Sequence, residues 1–101
     1  MRLITSVAAD HFHTGVSWKR DNTEVTVDGS LVRMWLHGHC IAQRTNLVYT
    51  ITNCGWFTNT TKERLNGLDQ VTIVQKKGKW FLNDKEWDGE PTILSAFGVW
   101  E

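Results

Sequence analysis

Hydrophobic and polar positions alternate along much of the chain, which is the pattern of strands that bury one face and expose the other. From residue 24 onward this alternation predicts four strands, over residues 24–27, 31–36, 40–44 and 47–52. Asp28-Gly29 and His37-Gly38 separate the first three of them and favour the tight turns of hairpins. The pattern therefore predicts an antiparallel meander.

A second hairpin is predicted where the runs 70–76 and 79–82 flank Lys77-Gly78. Residues 1–9 predict a further strand, because Thr, Ser and Val favour pleated surfaces, and residues 11–15 predict a loop. Residues 92–100 fit a strand or a short helix. We favour the strand, because Gly98 and the β-branched residues weaken a helix.

At residues 60–67 the spacing of apolar residues changes from that of a strand to that of a helix. Thr60 and Glu63 have the spacing of a capping box, Leu65 and Leu68 follow at helical spacing, and Gly67 suits a left-handed C-terminal cap. The predicted fold class is α+β, an antiparallel β-meander sheet of about five to seven strands with one short helix packed on a face. Residues 1–101 are expected to form a single domain.

The amino-acid composition excludes some classes of binding partner. The eleven basic and eleven acidic residues balance, which argues against generic duplex DNA binding. The two cysteines make no disulfide framework, and no apolar run is long enough to cross a bilayer. The start of the chain also lacks the apolar core of a signal peptide. We therefore expect a cytoplasmic protein with no membrane association.

Three segments resemble a small domain found in tailed-phage genomes: residues 50–66 (TITNCGWFTNTTKERLN), 74–82 (VQKKGKWFL) and 87–89 (WDG). The resemblance covers roughly residues 24–90 and brings no assigned activity with it. It implies a phage origin and expression in the cytoplasm of an infected bacterium. A small, neutral phage domain is often a host-takeover or anti-defence factor, which is an analogy independent of fold.

The start of the predicted helix is a candidate anion site, because it offers unpaired backbone N–H groups and a partial positive charge. Nearby aromatic rings could stack a base, and nearby lysines could contact phosphate. The residues of this candidate site are Trp56, Phe57, Asn59, Thr60, Thr61, Lys62, Lys76 and Lys77, and Thr58 adds a further hydroxyl donor. The same residues are also explained without a ligand, with Thr60 as a helix cap and Trp56 in the core.

A protein-binding surface is the second candidate. Tryptophan is enriched at interface hot spots, and six tryptophans are many for a chain of this length. The candidates for such a surface are Trp18, Trp35, Trp87 and Trp100. An exposed pair among them would mark a partner or homodimer surface, and the edges of an open sheet would also favour pairing between copies.

Metal binding and catalysis have little support. His37, His39 and Cys40 are potential ligands, as are His11 and His13, but structural zinc needs four ligands at recognised spacings and no C-x-x-C occurs. His39 and Cys40 are adjacent, so in a strand they point to opposite faces. No phosphate-binding loop or nucleophile elbow is present. We expect no metal, no cofactor and no enzymatic activity.

Three functional hypotheses follow. The leading one is a non-enzymatic phage protein that binds a host protein and so interferes with a host process. The alternative is sequestration of a nucleotide or nucleotide second messenger at residues 56–62. The third is a minor structural or assembly protein of the virion. A homodimer or higher homo-oligomer is compatible with each of them.

Overall fold

The structure is a computed structural model that describes residues 2–96. Two helices and nine strands lie in this part of the chain. In chain order they are α1 (Leu3–Thr14), β1 (Trp18–Arg20), β2 (Thr23–Asp28), β3 (Leu31–Leu36), β4 (His39–Arg44), β5 (Val48–Ile51), α2 (Asn59–Asn66), β6 (Ile73–Lys76), β7 (Lys79–Leu82), β8 (Lys85–Glu86) and β9 (Thr92–Ala96).

The strands form two antiparallel sheets. The larger sheet has six strands in the order β1-β2-β3-β4-β5-β9, and the smaller has three in the order β6-β7-β8. The α+β class, the four-strand meander and the second hairpin are confirmed. A strand also begins at Thr92 as predicted, while residues 97–100 of that prediction lie outside the described residues. The second hairpin forms a smaller sheet of its own, separate from the six-stranded sheet.

The N-terminal segment was wrongly predicted, since residues 3–14 form helix α1 and not a strand followed by a loop. Ile4, Ala8 and Phe12 are four residues apart and buried, so they make one apolar stripe on a helix. Burial of this stripe outweighs the preference of the Thr-Ser-Val run for strands. The helix ends at Gly15, whose N–H donates to the His11 carbonyl at 2.9 Å.

The predicted capping box of α2 is also wrong. Thr58 is the N-cap, and its Oγ1 accepts a hydrogen bond from the Thr61 N–H at 3.1 Å. The Glu63 side chain does not bond Thr60. Its Oε1 lies 2.6 Å from Nη1 of Arg64 and accepts a hydrogen bond from the Thr5 hydroxyl at 3.2 Å. Thr60, the predicted cap, lies within the first turn of α2, and Glu63 is bonded to α1 instead.

Gly67 ends α2, but with a right-handed φ of −75°, so the predicted left-handed cap is wrong. Glycine is required at this position for a steric reason. A Cβ on Gly67 would lie 2.5 Å from Cγ2 of Thr5, well inside van der Waals contact. Glycine is therefore needed here because α1 and α2 approach closely.

The hydrophobic core lies between the helices and the sheets. α1 packs on β1, β2 and β3, while α2 packs on α1, β4 and β6. One continuous cluster of buried side chains includes Phe12 from α1, Met34 and Ile51 from the larger sheet, Leu65 from α2 and Trp80 from the smaller sheet. The two helices and both sheets thus share a core, and α2 lies where they meet.

Candidate functional site

A groove of about 290 Å³ lies between the β3–β4 turn and the start of α2. Its lining combines apolar side chains, one indole, two imidazoles and three threonine hydroxyls. The lining residues are Leu36, His37, His39, Ile41, Trp56, Thr58, Thr60 and Thr61. The groove therefore offers apolar surface together with groups that can donate or accept hydrogen bonds.

Trp56 forms one side of the groove and is held there by a turn that follows β5. Its backbone N–H donates to the Asn53 carbonyl at 2.9 Å, and the Gly55 N–H donates to Oδ1 of Asn53 at 2.8 Å. The indole packs against the His39 imidazole, with ring centroids 5.4 Å apart and an interplanar angle of 39°. Because 51% of the Trp56 side chain stays exposed, a ligand in the groove can reach the ring.

The opposite wall is the first turn of α2. The hydroxyls of Thr58 and Thr61 lie 2.9 Å apart, and Thr58 also caps the helix. These contacts fix both side chains, while Leu36 and Ile41 add buried apolar surface from the larger sheet. The cap that starts α2 therefore also shapes the groove.

The groove is lined by no permanently charged side chain among the described residues. Among residues 2–96, no lysine, arginine, aspartate or glutamate lines it. Lys62, the nearest predicted cation in sequence, points to the smaller sheet, where its Nζ donates to Oε1 of Gln75 at 2.9 Å and lies 5.9 Å from the centroid of the Trp80 ring. Its charge is thus held by a hydrogen bond and a cation–π contact away from the groove.

The fold brings together only some residues of the predicted anion site. Trp56, Thr60 and Thr61 line the groove, whereas Asn59 and Lys62 do not. Phe57 points the other way and meets Trp80 edge-on, with centroids 5.1 Å apart. Lys76 ends β6 and Lys77 lies in the β6–β7 turn, both exposed and neither at the groove.

Four lining residues were not in the predicted anion site: Leu36, His37, His39 and Ile41. Thr58 was expected there only as a hydroxyl donor and not as the helix cap. The β3–β4 turn was recognised in the sequence, but only as a turn and a weak metal candidate. Thr58 carried a usable signal, because it precedes a helical run and has Thr61 three residues later. The approach of β4 to α2 is a tertiary contact for which no local pattern exists.

The tryptophans proposed for a partner surface have different environments. Trp18 is half-buried and stacks on His11, with centroids 5.6 Å apart. Trp35 is half-buried on the larger sheet, where its Nε1 donates to Thr26 at 2.9 Å. Trp87 is only 7% exposed and belongs to the core, so it cannot be part of an exposed surface. Trp100 lies outside the described residues.

Both cysteines are free thiols, and burial raises the pKa of each from its ordinary value. The Cys54 thiol donates to the Cys40 carbonyl at 2.9 Å. A thiol with a raised pKa stays protonated near neutral pH and is a poor nucleophile. Within residues 2–96, no three His, Cys, Asp or Glu side chains are placed to hold a metal ion. No helix in this part of the chain has the length and hydropathy to cross a membrane.

Comparison with protein families gives one match. Residues 1–98 match the model of a family described as Kyanoviridae Gp96 protein. No curated protein and no solved structure matches the chain.

Proposed function

The chain belongs to the Kyanoviridae Gp96 protein family, a family of phage proteins, and on that premise we propose that it is a non-enzymatic binding protein that acts on a host protein. It would work in the cytoplasm of the infected bacterium and interfere with a host process, such as defence. The observation that carries this proposal is the groove beside the half-exposed indole of Trp56, which no permanently charged side chain among the described residues lines.

The chemistry of the groove favours a protein partner over a nucleotide. A nucleotide brings phosphate charge, which proteins usually meet with arginine, lysine or a metal ion. The lining described for residues 2–96 offers none of these side chains, because Lys62 is held by Gln75 and Trp80. An apolar side chain of a partner needs no such charge and would cover the exposed part of the Trp56 indole.

The contact we propose has an apolar centre and a polar rim. A leucine, methionine or aromatic side chain of the host protein would enter the groove and pack on Trp56. The hydroxyls of Thr58 and Thr60 and the imidazole of His39 would bond polar groups around it. Central aromatic side chains that exclude water carry much of the energy in such interfaces.

The test uses tagged protein as bait in a lysate of the bacterium that the phage infects. We expect one host protein to be retained in stoichiometric amount by the wild type and by Leu47→Ala, whose side chain is 57% exposed in the β4–β5 turn outside the groove. Trp56→Ala should weaken the purified complex about 30-fold in calorimetry, because a hot-spot residue contributes about 2 kcal/mol or more.

Two results would contradict this proposal. One is a complex that Trp56→Ala and Leu47→Ala leave equally strong, since the groove would then play no part in binding. The other is retention of no host protein together with detection of the chain in purified virions, which would support a structural role instead.

Nucleotide sequestration is the second candidate, favoured by the juxtaposition of the Trp56 and His39 rings with threonine hydroxyls at the start of α2. A thermal-shift screen with linear and cyclic nucleotides tests it directly. A bound nucleotide should raise the Tm of the wild type and do so much less in Trp56→Ala. Absence of any shift with folded protein would rule this candidate out.

A further inference from the structure

Positive charge is concentrated at the end of the β6–β7 hairpin, in a group that we call the basic tip: Lys76, Lys77 and Lys79. Lys76 and Lys79 lie directly opposite each other in the ladder, and Lys77 lies in the turn between them. All three are exposed, and within residues 2–96 neither Lys76 nor Lys77 forms a salt bridge. Like charges directly opposite each other destabilise a ladder. The stability of the smaller sheet therefore does not explain these lysines.

A fourth lysine and an exposed aromatic ring lie beside the basic tip, at the next pair of the ladder, Gln75 and Trp80. Nζ of Lys62 donates to Oε1 of Gln75 at 2.9 Å. Phe57 packs edge-on against Trp80, and 55% of the Phe57 side chain stays exposed. Because side chains alternate along a strand, the lysine pair of the tip leaves the hairpin on the opposite face from Lys62. Positive charge thus surrounds the end of the hairpin on both faces.

The groove and the basic tip are joined by two consecutive residues. The Trp56 ring lines the groove and packs against His39, while the ring of Phe57 lies against Trp80 beside the tip. A partner segment that packs on Trp56 and continues over Phe57 therefore reaches the lysines. The described lining of the groove suits an apolar side chain, and its border on the Phe57 side is positive.

We propose that the host-protein segment that fills the groove carries carboxylates next to its apolar anchor, and that the basic tip and Lys62 bind these carboxylates. This inference rests on the proposed host-protein contact and adds the charge of the partner segment to it. Opposite charges across an interface speed association and fix its register. A single-stranded nucleic acid fits this surface less well, because bases stack on exposed rings and Trp80, the ring nearest Lys62, is only 3% exposed.

The test measures association kinetics of the purified complex. Between about 0.05 M and about 0.5 M salt, the association rate constant of the wild type should fall at least about tenfold, because salt screens exposed charges. At the lower salt, Lys76→Glu should reduce this rate constant about tenfold and weaken its salt dependence. The new carboxylate lies opposite Lys79, which favours the folded hairpin.

Lys85→Glu is the matched control. It makes the same change in net charge at an exposed lysine of the same sheet, but Lys85 pairs with Leu82 at the other end of β7. This variant should associate at nearly the wild-type rate.

Zero-length cross-linking gives a second readout on unmodified protein. A carbodiimide couples an amine directly to a carboxylate. Mass spectrometry of the treated complex should therefore find aspartate or glutamate side chains of the host protein joined to Lys62, Lys76 or Lys77.

A complex that Trp56→Ala weakens, but whose association responds neither to salt nor to Lys76→Glu, would overturn this inference and leave the proposed groove contact in place. Equal effects of Lys76→Glu and Lys85→Glu would also overturn it, because net charge and not the basic tip would then be responsible. Retention of no host protein would remove both proposals. Retention of a nucleic acid that nuclease and Lys76→Glu both release would overturn the inference in favour of phosphate as the bound group.

Discussion

Arg64 is the residue whose environment departs furthest from its usual one, because its guanidinium is buried in the centre of the fold. Nε donates to the Thr23 hydroxyl at 3.0 Å, and Nη1 donates to the Thr5 hydroxyl at 2.8 Å and to Glu63 at 2.6 Å. These bonds join α2 to α1 and β2. Hydrophobic patterning could not predict this, because it assigns arginine to the surface.

His13 links the end of α1 to the segment that follows α2. Its Nε2 accepts a hydrogen bond from the Asp69 N–H at 3.0 Å, which requires a neutral ring with the proton on Nδ1. Partial burial lowers the pKa of His13 from its ordinary 6.5, and Arg44 lowers it further, while Asp69 and Asp10 oppose the shift. Protonation would replace the acceptor with a second donor.

We therefore expect the free energy of unfolding to fall as the pH drops through about 6.5. The sign follows from the lowered pKa: the unfolded chain binds the proton more readily, so acid favours unfolding. Urea denaturation at about pH 7.5 and about pH 5.5 measures the difference. In His13→Gln the side chain can still accept from Asp69 but does not titrate, so the difference should shrink. An unchanged difference would assign the effect to other groups.

At the scale of elements, the sequence predicts structure best where turn chemistry is local. Lys77-Gly78 forms the predicted turn, whereas the first hairpin turns at Gly29-Ser30, because Asp28 still pairs with Leu31. Both Gly29 and Lys77 have positive φ. α1 was missed because short-range strand preferences of Thr and Val were weighed above the Ile4–Ala8–Phe12 stripe. The existence of α2 was predictable and Thr58 carried a usable cap signal, but the role of Glu63 was not predictable, since it depends on contact with α1.

The contact between the two helices gives a prediction at this scale. Gly67→Ala should reduce the free energy of unfolding by about 1–3 kcal/mol, because overpacking of a close contact strains it. The added Cβ would meet Cγ2 of Thr5 at 2.5 Å. Chemical denaturation measures the loss.

Thr5→Ser supplies the control, since it removes that methyl group but keeps the hydroxyl that bonds Arg64 and Glu63. In the Thr5→Ser background, Gly67→Ala should cost markedly less than in the wild type. If the two changes are additive, steric contact with Thr5 is not the reason for the glycine.

At the scale of the whole molecule, part of the candidate site was predictable and part was not. The segment around Trp56 could be predicted as a binding site, because aromatic and hydroxyl residues precede a helix there. The rest of the lining, from Leu36 to Ile41, reaches this segment only through packing of α2 on β4. The lysines of the smaller sheet do not lie beside Trp56 as the anion site required, because Lys76 and Lys77 are outside the groove.

The shared core predicts that the two sheets unfold together. Trp80 and Leu82 of the smaller sheet belong to the same buried cluster as Met34 and Ile51 of the larger one. Thermal unfolding followed by far-UV circular dichroism and by tryptophan fluorescence should give one coincident transition. Two separated transitions would show that the smaller sheet is an independent unit.

Asn53 joins the turn that holds Trp56 to the segment that leads into β9. Its carbonyl holds the Trp56 N–H, and its own N–H donates to the Gly89 carbonyl at 3.1 Å, two residues before Pro91 leads into β9. The packing is tight, since a Cβ on Gly89 would lie 2.1 Å from Oδ1 of Asn53. The backbone of this one buried residue thus connects the Trp56 side of the groove to the segment that leads into β9. A partner that shifts Trp56 on binding would therefore also shift the segment before β9.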